Sequence, residues 1–145
     1  MIAVDTNILV YAHREEFPFH SQARKKVIAL AESSAFWAIP WPCVHEFLAI
    51  CTNARIFKEP TEAAEALDFL ETLASSPSLL YLSETEDHLQ ILGKIVKESR
   101  VQGGRIHDAR IAAICLGNAV SELWTADRDF SSFRHLVARN PLLFP

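Results

Sequence analysis

The sequence predicts a single α/β domain over residues 1–145, with a central, mostly parallel sheet of four or five short strands flanked by helices. Three observations predict it. Short apolar runs without polar alternation, Ile2–Val4 first among them, read as strands buried on both faces. Stretches of helical period, apolar on one side and charged on the other, separate those runs. Strand and helix patterns alternate along the whole chain, with no internal repeat, low-complexity segment or linker.

The elements follow in order. After the strand Ile2–Val4 comes Asp5, and then Thr6 and Asn7, whose turn and N-cap chemistry predicts a helix from Ile8 to His13. Phe17-Pro18-Phe19 makes a break. His20 to Ser33 is a helix with Ala23, Val27, Leu30 and Ala31 inward. Phe36 to Ile39 is the second strand. Pro40-Trp41-Pro42 ends it, and Pro42 suits the first turn of the next helix, which runs to about Thr52. Asn53 to Pro60 is a loop. Thr61 caps a helix to Ser75, with Ala66, Leu67, Leu70 and Leu73 in its apolar stripe, and Ser76-Pro77 breaks it. Leu79–Leu82 is the third strand and Thr85 to Ser99 the following helix. A loop with Gly103 and Gly104 leads into a helix from His107 to Leu116, stopped by Gly117-Asn118. Glu122 to Thr125 is the fourth strand, and Leu136 to Ala138 adds an edge strand before Pro141.

Composition bounds the partners. Half of the 145 residues are hydrophobic and 22% are charged, the balance of an ordinary globular chain. The net charge of −4 excludes bulk basicity as a means of binding nucleic acid, so local arginines or bound cations must supply it. No apolar run spans a bilayer and Met1 leads into a strand rather than a signal peptide, so the expected location is the cytoplasm, without membrane contact. Cys43, Cys51 and Cys115 sit in apolar helical patterns without a Cys-x-x-Cys, and read as buried free thiols. Trp37, Trp41 and Trp124 lie in or beside apolar runs and read as core residues rather than base-stacking platforms.

Most of the 18 acidic residues have a bland explanation, Glu62, Glu65, Asp68, Asp87 and Glu98 lying on solvated helix faces. Four do not. Asp5 closes the first strand, at the edge where open parallel sheets place their ligands. Glu46 stands with Cys43, Phe47 and Ile50 in an apolar stripe, so an inward-facing acid is expected; the bland alternative is a buried ion pair with an arginine. Asp108 has the same relation to Ile111, Ala112 and Cys115, and as a first-turn acid it also suits the helix dipole. Asp127 follows the fourth strand as Asp5 follows the first, with turn chemistry as its alternative and Asp129 as a possible fifth ligand.

Clustered carboxylates raise one another's pKa, and a divalent cation relieves the repulsion. All-oxygen ligation suits Mg²⁺ or Mn²⁺ better than zinc. Two such ions about 4 Å apart activate a water and stabilise a leaving oxygen, which makes phosphodiester hydrolysis the reaction class suggested.

These residues also resemble a family. Asp5-Thr6-Asn7 after an apolar strand, Glu46 on an apolar helix, Asp108-Ala109 before Ile111-Ala112-Ala113, and Thr125-Ala126-Asp127-Arg128-Asp129-Phe130 together resemble a PIN domain. The surroundings Val10-Tyr11-Ala12-His13 and Ile39-Pro40-Trp41 are most similar to the VapC toxins of bacterial toxin–antitoxin pairs. The resemblance implies a PIN-like fold and a metal-dependent endoribonuclease that leaves a 5′-phosphate and a 3′-hydroxyl. It also implies a VapB-like antitoxin that blocks the site, and toxin homodimers. It carries metal ligation and catalysis onto Asp5, Glu46, Asp108 and Asp127, and the orientation of ligands or water onto Thr6, Asn7 and Thr125. Where many relatives have Ser or Thr before the glutamate helix, this chain has Trp41-Pro42-Cys43.

Other constellations fail. His45-Glu46 lacks the second histidine of a zinc protease, because Ala49 holds its place, and Gly103-Gly104 is followed by no phosphate-loop lysine. His45 and His107 read as neighbours of the acids rather than ligands. Arg105, Arg110 and Arg128 are expected either to meet RNA phosphates or to neutralise the carboxylates beside them. Two rival functions stand beside the ribonuclease: a structure-selective DNA nuclease, and a non-catalytic module whose acids hold a cation or a basic partner.

Overall fold

A computed structural model describes all residues from Met1 to Pro145. Five strands form one parallel sheet: β1 (Ile2–Val4), β2 (Trp37–Pro40), β3 (Leu79–Leu82), β4 (Glu122–Trp124) and β5 (Ala138–Arg139). Their order across the sheet is β3-β2-β1-β4-β5. The chain winds outward from β1 through β2 to β3, then returns to the other side of β1 for β4 and β5. The winding direction therefore reverses between β1 and β4, and the crevice outside their carboxyl ends is where such sheets bind ligands. The register Val4↔Trp124 brings the residues that follow each strand, Asp5 and Thr125, side by side there.

Six helices flank the sheet: α1 (Thr6–His13), α2 (His20–Glu32), α3 (Trp41–Cys51), α4 (Ala63–Ala74), α5 (His88–Ser99) and α6 (Ile106–Gly117). α1 packs on α2 and α3, α4 on α3, and α5 on α6. The core is continuous through these layers, with Trp37, Phe47 and Phe130 its largest fully buried side chains. α6 is buried on most of its surface, from Ala109 through Ile111 to Cys115. Cys43, Cys51 and Cys115 are buried free thiols, as expected. No helix is long and apolar enough to cross a membrane.

Three helix starts depart from the sequence reading by two or three residues, two of them because a polar side chain has another partner. α1 begins at Thr6 rather than Ile8, since the Asp5 carboxylate caps it by accepting from the Thr6 N–H at 2.8 Å. α4 begins at Ala63 rather than Thr61. The Thr61 hydroxyl does not cap it but accepts from Arg14 at 3.0 Å and meets His13 Nε2 at 3.2 Å. Arg14 also donates to the Glu59 carbonyl, pairs with Glu16 and lies 4.0 Å over the Phe57 ring, which ties the loop before α4 to the end of α1. α5 begins at His88 rather than Thr85, after a turn through Glu86 and Asp87.

The stop after α6 also works differently. Gly117 is still helical, and the left-handed residue is Ala119 at φ 56°. Gly117 is needed because a Cβ there would stand 2.9 Å from the Thr85 hydroxyl. β5 lies one or two residues later than the expected Leu136–Ala138.

Candidate active site

The site is built on Asp5. Its side chain is 4% exposed and takes four hydrogen bonds. Oδ1 accepts from the Thr6 N–H at 2.8 Å and from the Cys43 thiol at 3.6 Å. Oδ2 accepts from the Thr125 hydroxyl at 2.7 Å and from Asn7 Nδ2 at 3.2 Å. Asn7 in turn donates to Thr125 Oγ1 and accepts from the Ala126 N–H, while the Asp127 N–H donates to Thr125 Oγ1. One network thus locks the carboxyl end of β1 to that of β4. Asp127 caps the following turn by accepting from the Asp129 N–H at 2.9 Å. The Cys43 thiol is a member of this network that its reading as a plain core residue missed, and sequence periodicity carries no signal for it.

α3 and α6 bring the other two acids. The Thr6 hydroxyl donates to Glu46 Oε2 at 2.7 Å, which connects α3 to the start of α1. Glu46 is exposed rather than turned into the core, and no arginine pairs with it. The expectation of an inward acid is corrected here: Cys43 and Phe47 of its stripe are buried, but at Glu46 the stripe has reached the open edge of the sheet. Asp108 is half-buried in the first turn of α6 and faces Glu46 across a cleft of about 380 Å³ whose walls include Pro42, His45, His107 and Arg110. A wider hollow of about 840 Å³ lies between the end of α1 and the loop before α4. It holds the Arg14 linkage and none of the four acids.

The electrostatics follow from this packing. Burial pushes the Asp5 carboxyl up to about 6, with the nearby Glu46 charge adding to the shift and the Thr125, Thr6 and Cys43 donors opposing it. Burial also raises Asp108, reinforced by Asp127, Glu46 and Asp129 and opposed by Arg105. Glu46 thus acts on both Asp5 and Asp108, and Asp108 also feels Asp127 and Asp129, a negative field that Arg105 only partly offsets. The thiols stay protonated: burial next to Asp5 raises Cys43 well above its ordinary value and Cys115 to about 12.

The arginines separate. Arg105 is turned inward to the acids, 3.8 Å from Asp108 and 3.9 Å from Asp129, and donates to the Asp129 carbonyl and the Ser132 hydroxyl. It neutralises carboxylates, the second of the two roles open to it. Arg110 pairs with Glu84 on the cleft's rim, and Arg128 is exposed without an ion-pair partner. His45 and His107 are exposed on the cleft. Asp129 is exposed and engaged by Arg105.

The donor set suits a hard divalent cation. Apart from the Asn7 amide, the Cys43 thiol, two exposed imidazoles and the guanidinium groups of Arg105 and Arg110, the side-chain groups around the acids offer oxygen, and the four acids outnumber the two arginines. No three of these side chains stand close enough to enclose an ion by themselves.

Comparison with known proteins decides the family. The PIN-domain model matches residues 2–136. The chain belongs to the PIN-domain family. It is 34% identical over 142 residues to the VapC ribonuclease Mb2897 of Mycobacterium bovis, covering 98% of this chain and 96% of that one. Among solved structures, it superimposes on VapBC2 from Rickettsia felis bound to a DNA fragment from its promoter, with a TM-score of 0.70 at 18% identity, covering 97% and 98% of the two chains. A second is VapC20 of Mycobacterium tuberculosis, described as a sarcin-ricin loop cleaving toxin, with a TM-score of 0.66 at 15% identity over 91% and 94%. Within this PIN-domain frame the parallel sheet and the order of the sequence motifs agree with the expected fold.

Proposed function

We propose that this PIN-domain chain is a VapC-type endoribonuclease that hydrolyses RNA phosphodiester bonds with Mg²⁺ or Mn²⁺. Asp5, Glu46, Asp108 and Asp127 would hold the cation, while Thr6, Asn7 and Thr125 orient those carboxylates. The observation that carries the reading is the Asp5 network. A carboxylate 4% exposed, pushed up to about 6, stands at the switch point of the sheet, with Glu46 tied to Thr6, the first residue of the helix that Asp5 caps. A core has no use for a charge so costly to bury, whereas a cation site needs it.

A divalent cation bound there supplies Lewis-acid activation of water and charge neutralisation at the phosphate. The chain's own groups do the rest. Thr125 and Asn7 fix Asp5 in one orientation, Thr6 fixes Glu46, and Arg105 limits the repulsion around Asp108 and Asp129. Arg128, exposed near Asp127 without an ion-pair partner, would meet RNA phosphates, and Arg110 would do so by leaving Glu84. The 34% identity to a VapC ribonuclease supports RNA as the substrate, and the likeness to VapBC2 supports a VapB-like antitoxin as partner. A homodimer is part of the same proposal.

The test is competition. Purified protein, freed of co-purifying partner, is given equal amounts of labelled RNA and DNA with Mg²⁺ or Mn²⁺. RNA cleavage that EDTA abolishes supports the reading. Preferential cutting of DNA replaces it with the DNA-nuclease rival, and no turnover with either metal replaces it with the binding module.

A further inference from the structure

The three tryptophans have different fates. Trp37 is fully buried and Trp124 nearly so, and their indole N–H groups donate to Ser76 and Glu122. Trp41 is 40% exposed, and its indole N–H has no partner within the chain. The expectation that all three are core residues therefore fails at Trp41, and the reason is its position. It is the first residue of α3, directly after β2, at the same carboxyl edge that carries the acids.

One face of Trp41 lies on Tyr81 of β3, with ring centroids 4.5 Å apart and planes 20° apart. Beyond it stands His45, one turn further along α3, at 6.2 Å and 26°. The three rings make a staircase from the edge strand to the cleft. His45 is bonded through the backbone to Glu46, and both line the cleft opposite Asp108 and Arg110. An aromatic surface with its plane fixed by Tyr81 thus ends beside the carboxylate that faces the reaction. Of the three rings His45 lines the cleft itself, so a strand with a phosphate at the acids would meet the staircase at that end.

We propose that the Tyr81–Trp41–His45 staircase is the platform on which an unpaired base next to the scissile phosphate stacks. The proposal rests on the reading of the acids as an RNA-cleaving site and adds a positioning surface to it. Stacking accepts any base, so the platform sets the register of the strand rather than its sequence. It favours loops and single strands, because a base inside a duplex has no free face. Arg110, on the far wall and paired with Glu84, would meet the backbone of the same strand by exchanging that carboxylate for a phosphate.

The test reads Trp41 directly. With Trp37 and Trp124 buried, Trp41 is the indole open to a ligand. An unstructured oligouridylate is titrated with Mg²⁺ into the Asp5→Asn background, which keeps the RNA intact. It is expected to quench the fluorescence, with the quenching absent in Trp41→Phe and weak with an RNA duplex of equal length. In the active protein, Trp41→Ala is expected to raise KM for single-stranded RNA about 5- to 100-fold and to lower kcat less. Trp41→Phe restores most of it, and His45→Ala, on an exposed helix position, gives a smaller rise without risk to the fold.

Two outcomes overturn the platform: no quenching by the oligouridylate, or KM values for Trp41→Phe and His45→Ala within about twofold of wild type together with an unshifted Trp41→Ala. A third is dissociation of a dimer in Trp41→Ala with quenching absent throughout, which makes this face a protein interface. Cutting without quenching removes the platform and leaves the nuclease. Quenching by RNA in a protein that cuts nothing removes the nuclease and leaves the platform.

Discussion

The Thr125 hydroxyl donates to Asp5 Oδ2 at 2.7 Å across 120 positions of sequence, and accepts the Asp127 N–H at 3.0 Å on its other side. One buried hydroxyl therefore holds the first acid and places the last. Thr125→Val keeps the shape but leaves the Asp127 and Asn7 donors without their acceptor and Asp5 without its shortest bond. We expect a loss of about 1–3 kcal/mol of stability, read as a lower denaturant midpoint, and at least a tenfold fall in kcat (roughly, for a lost positioning bond). Thr125→Ser retains the hydroxyl and should recover most of both.

Asp5 makes the cation-free protein pH-sensitive. Its folded pKa, about 6, lies above the ordinary 3.8, so the folded state binds the extra proton. Its contribution to stability is fully present below about pH 4 and is lost as pH rises through 6. The change is on the order of 2–3 kcal/mol. Urea midpoints in EDTA should therefore decline between about pH 4 and 6, and the decline should flatten in Asp5→Asn. A midpoint that climbs over that interval in EDTA contradicts the raised pKa.

Cation binding should reverse that loss. A ligand that binds only the folded state at 100 times its Kd adds about 2.7 kcal/mol. Mg²⁺ or Mn²⁺ should raise Tm at pH 7.5 to 8 (about two units above the Asp5 value) in wild type, and much less in Asp5→Asn or Asp108→Asn. Equal shifts in all three proteins would place the ion elsewhere.

Gly117 offers a test of packing far from the chemistry. A methyl group there meets the Thr85 hydroxyl at 2.9 Å, so Gly117→Ala should cost about 1–3 kcal/mol. In a Thr85→Ala background the same change should cost clearly less, a coupling that a double-mutant cycle on thermal stability reads directly.

Much of this was legible in the sequence because the fold depends on local patterns. Ile2–Val4 and Leu79–Leu82 read as strands from their own residues, and Asp5 and Asp127 stand out as candidates because each follows a strand. The reversal of winding between β1 and β4, which puts the two acids together, belongs to the topology and not to either segment. Glu46 shows where periodicity stops. Its spacing to Cys43 and Phe47 is the same whether the stripe meets a core or the rim of a cleft. Thr61 and Arg105 show the same limit for polar groups: Arg14 claims the threonine and Asp108 and Asp129 claim the arginine, through contacts no short window contains. Trp41 sits in an apolar run, yet its environment is set by Tyr81 on another strand.

The central claim is that Asp5 and Asp108 belong to one cation-dependent ribonuclease site. RNA cleavage by purified wild type, Asp5→Asn and Asp108→Asn, each with EDTA, Mg²⁺ or Mn²⁺ and each confirmed folded by circular dichroism, tests it most directly. The account predicts cutting by wild type with metal only, and a fall of at least about a hundredfold in both variants. Full activity in either folded variant, or undiminished cutting by wild type in EDTA, would contradict it.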